Sequence, residues 1–449
     1  MNEFHLLTEG DVNFSEERRN WDKHIDDPQT RKILGDDSSY FLHQSMSTPC
    51  LDVLDKCSGS GITTISGRHM LDFHGNNVHQ LGYGNEFVVK QVKQQLDRLS
   101  FSPRRYTNLP AVELAKKLAD ILPGNLNRSL FAPGGTLAVG MAMKLARIVT
   151  GKYKLVSLWD SFHGASLDSI SAGGEDVFRK YMDPLLPGVI HIPPVNTYRG
   201  IFGDSPEVQL NYANYLEYVI EKEGNVGAFI AETIRNTDVQ IPSLAYWKRI
   251  REICDKHNVI LILDEIPIAP GRTGEMFAFQ HYEIEPDILC LGKGLGGGII
   301  PFAAIVARDS YNVAKDVSLG HYTHEKSPLG SIAALSVLNY IENEQLLQKV
   351  KDDGIWMANE LALLKKEFAL IGDIRGIGLL WGIELVKDHI SKKKATSEAE
   401  RIMYHCMRNG LSFKVSQGNV IQLSPALTIS RNDLEKALLI LRDAFQKIK

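Results

Sequence analysis

The middle of the chain alternates between short apolar runs and amphipathic helical stretches. The apolar runs are rich in β-branched residues and cover positions 154–159, 226–231, 259–263, 287–291 and 302–307. One helical stretch, 243–256, places Trp247, Ile250 and Cys254 on one face. Strands that are apolar on both faces and alternate with helices are typical of a largely parallel sheet covered on both sides. We therefore predict an α/β fold.

The two ends of the chain differ from the middle. The first 45 residues are polar and irregular, which predicts an extended or partly helical arm. Further predicted elements are two short strands over 62–73 with a turn at Ser66-Gly67, helices at 86–99 and 111–122, long helices over 331–370, short strands near 376–385 and 411–423, and a terminal helix. We predict an N-terminal arm with part of a small domain over 1–70, a large domain over 71–330, and a small α+β domain over 331–449.

Charge and cysteine content restrict the class of protein. The 449 residues carry a formal net charge of -4 and no long basic run, which argues against a nucleic-acid or membrane-surface partner. The five cysteines are scattered without a CxxC pair, as in a reduced chain rather than a disulfide framework or zinc site. The polar start holds no apolar stretch of a signal peptide, and no run of roughly 18 uncharged apolar residues occurs. We expect a cytoplasmic protein that spans no membrane.

Two of the predicted strands end in ionisable residues. Strand 259–263 runs into Asp264-Glu265, and strand 287–291 runs into Gly292-Lys293-Gly294. Ligands of open α/β sheets bind at the carboxyl ends of the strands. A lysine beside an apolar wall can form an imine with an aldehyde cofactor, and an aspartate can keep a pyridine nitrogen protonated. The alternative is a solvated loop lysine followed by a glycine turn.

Two further segments carry residues that suit a cofactor. The residues before the helical run to Arg147 read FAPGGT, from Phe131 to Thr136, and small residues there expose backbone N–H groups to a phosphate. The alternative is a plain helix start, capped by Thr136. The segment Phe162-His163-Gly164 offers an aromatic ring for stacking, although Phe162 also fits a core position.

Together these segments resemble the class III aminotransferase family of fold type I enzymes, which use pyridoxal 5′-phosphate (PLP). The resemblance extends over about 40–445, and the stretch 262–298 carries most of it. That stretch, ILDEIPIAPGRTGEMFAFQHYEIEPDILCLGKGLGGG, follows the family pattern DE-V-x-x-G-x-GRTG … PD-I-x-x-x-GK-x-LGGG. The resemblance implies a large domain with a mostly parallel sheet of the seven-stranded type, and a smaller α+β domain.

The resemblance also implies roles for individual residues. Lys293 is expected to hold PLP as a Schiff base and to carry protons, and Asp264 is expected to pair with the pyridinium nitrogen. The remaining expected cofactor contacts are Phe162 and Ile266 on the two ring faces, Gly135 and Thr136 at the phosphate, Glu232 near the phenolic oxygen, and Thr323 at the phosphate of a neighbouring subunit. The family implies a homodimer or homotetramer with active sites at the interface.

The sequence departs from the family pattern in ways that bear on the substrate. The phosphate segment lacks two acids, and Gly140 stands where a second glutamate is usual. Gln422 replaces an arginine that clamps the substrate α-carboxylate in many members, and we expect this uncharged glutamine to contact substrate. Lys414 or Arg375 could compensate for that arginine.

Other unusual residues lie near the predicted phosphate threonine. The segment 320–328 reads GHYTHEKSP, so that His324 and Lys326 are expected to contact substrate. The paired Arg104 and Arg105 suit a phosphate or phosphonate, the alternative being a solvated turn. Two histidines and a glutamate in one short segment do not make a zinc site, and we expect no metal.

These departures resemble a lyase branch of the family, whose substrates include 1-hydroxy-2-aminoethylphosphonate and ethanolamine phosphate. They imply an ammonia-lyase that converts a small phosphonate- or phosphate-bearing amino alcohol to an aldehyde by β-elimination. A class III aminotransferase, moving an amino group from a small amine or ω-amino acid to a keto acid, is the alternative, because both reactions share their early steps. A non-catalytic binding protein conflicts with the presence of Lys293 and Asp264, and a dehydrogenase conflicts with the absence of G-x-G-x-x-G spacing.

Overall fold

The structure is a computed structural model that describes residues 15–44, 50–203 and 205–448. The strands are β1 Leu54–Ser58, β2 Gly61–Thr64, β3 His69–Asp72, β4 Leu126–Ala132, β5 Lys154–Leu158, β6 Val189–Ile192, β7 Val226–Glu232, β8 Ile260–Asp264, β9 Ile288–Leu291, β10 Ala303–Arg308, β11 Ile371–Ile377, β12 Leu380–Leu385, β13 Leu411–Ser412, β14 Lys414–Ser416 and β15 Val420–Leu423. The helices are α1 Glu16–Lys23, α2 Pro28–Tyr40, α3 Glu86–Arg98, α4 Leu109–Ile121, α5 Gly135–Thr150, α6 Leu167–Ala172, α7 Asp176–Arg179, α8 Gln209–Glu223, α9 Leu244–His257, α10 Pro328–Asn343, α11 Leu346–Glu367, α12 Thr396–Arg408 and α13 Arg431–Lys447.

A seven-stranded sheet forms the centre of the molecule, in the order β4-β10-β9-β8-β7-β5-β6. The strands from β9 to β6 are parallel, and β10 is antiparallel to both of its neighbours. Alternate residues of β8 enter two different apolar clusters, with Leu261 and Leu263 in one and Ile260 and Ile262 in the other. The sheet is therefore buried on both faces, which confirms the prediction from the apolar runs.

Two four-stranded sheets flank the central one. The sheet β11-β12-β15-β14 is antiparallel and draws on the C-terminal part of the chain. The other, β1-β2-β3-β13, joins an N-terminal hairpin to β13, and Leu411 pairs with Leu71 in a parallel register. The predicted turn at Ser66-Gly67 is present, because the N–H of Gly67 donates to the carbonyl oxygen of Thr64 at 2.9 Å. The division at 70 and 330 stays a prediction.

The N-terminal arm is more helical than the sequence suggested. Helix α1 begins after Ser15, whose side chain accepts from the N–H of Arg18, and α2 begins after Asp27, whose side chain accepts from the N–H of Thr30. Trp21 is 1% exposed and its ring lies 5.6 Å from that of Tyr404, so this single aromatic fixes the arm to the C-terminal part. The expectation that the chain begins without a signal peptide concerns residues that lie outside the described ranges.

Three strands were not predicted, namely β1, β4 and β6. β4 mixes polar and apolar residues (LNRSLFA), β6 is only four residues long, and β1 is exposed along its whole length. All three lie at the edges of their sheets, where one side of a strand lacks the apolar neighbours that produce a strong pattern. Among the described residues, no helix combines the length and apolar character that crossing a membrane requires.

The contact between α11 and the β11–β12 turn gives a test of the packing. A Cβ placed on Gly354 would lie 2.8 Å from the Cα of Gly378, closer than packed atoms approach. Gly354→Ala should therefore destabilise the protein by about 1–3 kcal/mol, although alanine favours a helix over glycine by about 1 kcal/mol. The midpoint of thermal unfolding should fall.

Gly35, within α2, is the matched control. A Cβ there would meet no atom within 4 Å, so Gly35→Ala should raise the midpoint or leave it unchanged. An equal rise in both variants would show that Gly354 has room for a side chain.

Candidate active site

Three parallel strands end side by side and bring ionisable residues to one edge of the central sheet. β7 ends at Glu232 and β8 at Asp264, and these two residues are direct partners in the register of the strands. β9 ends at Leu291, and Lys293 begins the short 3-10 turn that follows it. The prediction that an acid and a lysine emerge together at this edge is therefore confirmed for their positions.

Asp264 and Glu265 point to opposite sides, as successive residues of a strand must. Oδ2 of Asp264 lies 2.8 Å from Nδ1 of His163, and Oδ1 accepts from the N–H of Ile266 at 3.0 Å. Because a carboxylate only accepts, Nδ1 of His163 carries the hydrogen. Glu265 instead accepts from the N–H groups of Ala278 and Phe279, both at 2.7 Å, and burial raises its pKa to about 7. Glu265 is thus a structural acid that fixes the loop after β8.

Lys293 is half-buried and has a left-handed backbone, with φ of 45°. Burial lowers the pKa of its amine, and the positive charge of Lys414 acts in the same direction, whereas Asp264 and Glu232 raise the pKa. A lowered pKa increases the fraction of neutral amine, the form that attacks an aldehyde.

Glu232 is buried beside Asp264, and burial is the main cause that raises its pKa. Both of its oxygens accept backbone N–H groups, Oε1 from Phe162 at 3.3 Å and Oε2 from Asn236 at 2.9 Å. These two bonds tie the segment after β5 and the segment after β7 to the end of the sheet.

The N-terminus of α5 forms the side of the site nearest to Ile266. α5 begins at Gly135 after Gly134, and no side chain caps its first N–H groups. Thr136 is inside the helix, and its Oγ1 lies 2.7 Å from Oγ of Ser166 and 3.0 Å from Oγ of Ser169, so the alternative of a simple threonine cap does not hold. A Cβ on Gly135 would lie 3.0 Å from Cδ1 of Ile266, which explains the glycine.

A second carboxylate occupies the space that Gly140 leaves. A Cβ placed on Gly140 would lie 2.6 Å from Oδ2 of Asp168. Asp168, from α6, therefore places a carboxylate beside position 140, where the resemblance led us to expect a glutamate. This proximity has no signal in the local sequence, because Asp168 is distant from Gly140 along the chain.

A cavity of about 200 Å³ opens at the edge where the three strands end. Its walls are formed by His74, Asn76, Asn77, Phe162, Glu175, Phe178, Glu232, Asn236, Thr237, Pro267, Lys293 and Lys414. The rings of Phe162 and Phe178 pack at a centroid distance of 4.6 Å and form an apolar part of the wall. Sequence reasoning missed seven of the wall residues, since none of them lies in a recognisable motif: His74, Asn76, Asn77, Glu175, Phe178, Asn236 and Thr237.

Gln422 is fully buried behind this wall. Its Nε2 donates to Oδ1 of Asn236 at 3.1 Å, and Gln422 does not itself line the cavity. Of the two residues considered to compensate for the missing arginine, Lys414 lies on the cavity wall and faces Gln422 in the β14–β15 register. The guanidinium of Arg375 is held by carboxylates, with Nη1 2.8 Å from Glu384 and 3.0 Å from Asp373. Arg375 is therefore engaged elsewhere.

The other predicted substrate residues, together with the predicted phosphate residue Thr323, form a cluster of exposed and partly exposed side chains that do not line this cavity. Nη2 of Arg104 lies 2.7 Å from Nε2 of His321, which joins the 101–106 segment to the 320–326 segment. The ring of His324 packs on that of Phe101 at 5.1 Å. The cluster also contains Arg105, Thr323 and Lys326, and none of the five predicted members (Arg104, Arg105, Thr323, His324 and Lys326) lines the cavity that holds Lys293.

The residues that line the cavity, together with buried residues at the same edge of the sheet, fit PLP. An amine of lowered pKa, a buried carboxylate bonded to His163, an aromatic wall at Phe162 and an uncapped helix start at Gly135 provide the four kinds of group that an aldehyde, a pyridinium nitrogen, a ring face and a phosphate require.

Comparisons with known proteins agree with this geometry. A family model for class III aminotransferases matches residues 43–445. An (R)-1-hydroxy-2-aminoethylphosphonate ammonia-lyase of Vibrio splendidus is 58% identical, over 99% of this chain and 96% of that protein. A leucine/methionine racemase of Thermococcus litoralis is 34% identical, over 89% and 92%. The structure of an amine transaminase from an uncultivated Pseudomonas species in its PLP-bound form superposes with a TM-score of 0.85 at 29% identity, over 91% of this chain and 99% of that one.

The likeness to the solved transaminase structure confirms the expected fold class. The names of the three relatives describe three different reactions, so family membership alone does not identify the reaction. The extent of the family match is decisive for the family itself. This chain belongs to the class III aminotransferase family of PLP-dependent enzymes.

Proposed function

We propose that this protein is a PLP-dependent ammonia-lyase that converts (R)-1-hydroxy-2-aminoethylphosphonate to ammonia and an aldehyde that keeps the phosphonate. The observation that carries the proposal is the 58% identity over 99% of the chain to a lyase of that name. The overall change is redox-neutral, because the water lost by elimination returns when the nitrogen-bearing carbon is hydrolysed.

The expected cofactor residues would bind different parts of PLP. Lys293 would hold the aldehyde carbon, Asp264 with His163 would face the ring nitrogen, and the N-terminus of α5 with Thr136 would hold the phosphate. Phe162 and Ile266 would enclose the ring, and Glu232 would lie near its phenolic oxygen. When bound, PLP withdraws electrons from the substrate carbon that bears the nitrogen.

Lys293 would then act as the base at that carbon. Lys293 is half-buried, and burial lowers the pKa of its amine, which increases the fraction of the neutral form that can accept a proton. The carboxylate oxygens of Asp264 accept hydrogen bonds from the N–H of Ile266 and from His163. Neither residue distinguishes a lyase from an aminotransferase.

The anion-binding groups favour the lyase. An aminotransferase needs a site for the carboxylate of a keto acid, but Gln422 is neutral and bonded to Asn236, and Arg375 is held by acids. Besides Lys293, which is assigned to the cofactor, the cavity wall carries the amino group of Lys414. Lys414 is therefore the candidate for the phosphonate of a small substrate.

The exposed cluster of Arg104, Arg105, Thr323, His324 and Lys326 supports a homodimer or homotetramer. These residues carry the charges that suit a phosphonate and a phosphate, yet they lie outside the cavity of their own chain. We propose that the cluster completes the site of a second copy.

Five free cysteines among the described residues, and no membrane-spanning helix there, support activity in the cytoplasm.

Ammonia release without a keto acid is the first test. Purified protein given (R)-1-hydroxy-2-aminoethylphosphonate should release ammonia in a coupled assay in the absence of pyruvate, and pyruvate should not increase the rate. Ethanolamine phosphate and 2-aminoethylphosphonate serve as alternative substrates. Alanine formed only when pyruvate is present would establish the aminotransferase instead.

Lys293→Ala should lower ammonia release by at least about a hundredfold, because the base is lost. The variant should also lose the yellow absorbance of the lysine-bound cofactor. Lys144→Ala is the matched control, since Lys144 is exposed on α5, and its activity should equal that of the unmodified protein. Full activity in Lys293→Ala would remove this lysine from the mechanism.

Subunit complementation tests the exposed cluster. A double variant, Arg104→Ala with Arg105→Ala, and the Lys293→Ala variant should each be inactive alone. Mixed and reassembled in equal amounts, they should recover about a quarter of the normal activity, because half of the dimers are hybrids and each hybrid has one intact site. No recovery, despite hybrid formation seen by native mass spectrometry, would place the arginines in the site of their own chain or outside any site.

A further inference from the structure

Gln422 carries an amide group that is fully buried behind the cavity wall. Its Nε2 donates to Oδ1 of Asn236 at 3.1 Å, and Asn236 does line the cavity. Any effect of Gln422 on a bound substrate therefore has to pass through Asn236. The inference that follows rests on the proposed function, because it concerns the phosphonate of the proposed substrate.

Hydrogen bonds determine which end of the Asn236 amide faces the cavity. A carboxamide has one oxygen that accepts and one NH2 group that donates. The backbone N–H of Asn236 donates to Oε2 of Glu232 at 2.9 Å, and Oδ1 accepts from Gln422. Nδ2 donates to no acceptor within the described residues, and it is not among the buried atoms there that lack a partner. The NH2 group is therefore the part of the amide that a bound molecule meets.

A positive charge lies beside this amide. Lys414 lines the cavity and is the direct partner of Gln422 in the β14–β15 register, which places their side chains next to each other. Burial lowers the pKa of both Lys293 and His74, and the charge of Lys414 lowers each of them further, so this charge acts within the cavity. Since Gln422 neighbours Lys414 and bonds to Asn236, the ammonium group and the amide donor lie on the same part of the wall.

This pair of groups suits a phosphonate better than a carboxylate. A carboxylate is planar and is matched by two parallel N–H groups on one guanidinium fork. A phosphonate has three oxygens that point in separate directions and accept from separate donors. The ammonium of Lys414 is a compact charge and the amide of Asn236 is a second, independent donor, so together they address different oxygens.

We propose that Asn236 binds the phosphonate of the substrate through Nδ2, and that Gln422 is the residue that positions it. Nδ2 donates to one phosphonate oxygen, and Lys414 supplies the charge. Gln422 touches no substrate. It holds Oδ1 of Asn236 on the far side of the wall, because an amide oxygen turned toward the anion would repel it.

Asn236→Leu tests the donor, because leucine has a similar shape and no polar group. Ethylphosphonate is the probe, since it has no amine and cannot react with the aldehyde of PLP. Its Kd for the PLP-loaded protein, measured by calorimetry, should rise roughly tenfold to a hundredfold, as for the loss of a hydrogen bond to a charged group. Asn236→Asp keeps the acceptor for Gln422 but adds a negative charge, and should weaken binding further.

Asn214→Leu is the matched control, because Asn214 is exposed on α8. Its Kd for ethylphosphonate should equal that of the unmodified protein. An unchanged Kd in both Asn236→Leu and Asn236→Asp would overturn the proposal.

Two amines separate substrate binding from upkeep of the cavity. In deuterium oxide, exchange of the hydrogens beside the nitrogen of 2-aminoethylphosphonate, followed by NMR, should show a raised KM in Asn236→Leu, with kcat within about twofold of normal. Propylamine lacks the phosphonate, so its exchange should have the same KM in the variant and in the unmodified protein. Equal losses with both amines would mean that Asn236 only maintains the cavity.

A double-variant cycle tests the role of Gln422. Gln422→Leu should raise the Kd for ethylphosphonate by about threefold or more, because the amide of Asn236 is then free to turn its oxygen toward the anion. In the Asn236→Leu background, the same substitution should leave the Kd unchanged. An equal effect in both backgrounds would mean that Gln422 acts independently of Asn236.

The unmodified protein distinguishes the two levels of inference. If it binds ethylphosphonate but releases no ammonia from the hydroxy substrate, then the lyase proposal fails, and weaker binding by Asn236→Leu would still support the phosphonate site. If it releases ammonia and Asn236→Leu binds ethylphosphonate normally, then the lyase stands and another donor binds the phosphonate.

Discussion

The hydrogen-bonded register of β7, β8 and β9 sets the positions of everything else at the site. Asp264 faces Glu232 on one side and Cys290 on the other, and Lys293 follows within a few residues of that pair. Because the three strands are buried on both faces, a shift of one residue would move apolar side chains out of their clusters. The packing of the core therefore holds the ionisable groups in one arrangement.

In the flanking C-terminal sheet, Arg375 is held by ion pairs and hydrogen bonds within the structure. Arg375 on β11 bonds to Glu384 and Asp373, and its Nε donates to the carbonyl oxygen of Asp238 at 2.9 Å. Removing one partner from a buried ionic network leaves an uncompensated charge, which disfavours turning Arg375 toward a substrate. Under the proposed function, Lys414 on the cavity wall would meet the phosphonate with an ammonium group, which presents a point charge rather than the planar fork that matches a carboxylate.

Much of the fold and of the cofactor site followed from the sequence, since both depend on local patterns. The buried strands and the residues at their ends, Asp264 and Lys293, are adjacent in sequence to apolar runs and glycines that mark them. The edge strand β4 and the cavity residues Glu175 and Thr237 carry no such pattern. Glu175 and Thr237 meet only because separate segments converge beside β7, and a convergence of this kind leaves no trace in the spacing of residues along the chain.

The side chain of Asp168 restricts which residues position 140 can hold. Its carboxylate fills the volume over Gly140, so a glutamate at position 140 would meet both a steric overlap and a like charge. The two positions are therefore coupled, and the effect of changing either one depends on the residue at the other. A side chain added at position 140 is therefore expected to be tolerated better when position 168 carries a smaller, uncharged residue, and a design that changes position 140 should change position 168 with it.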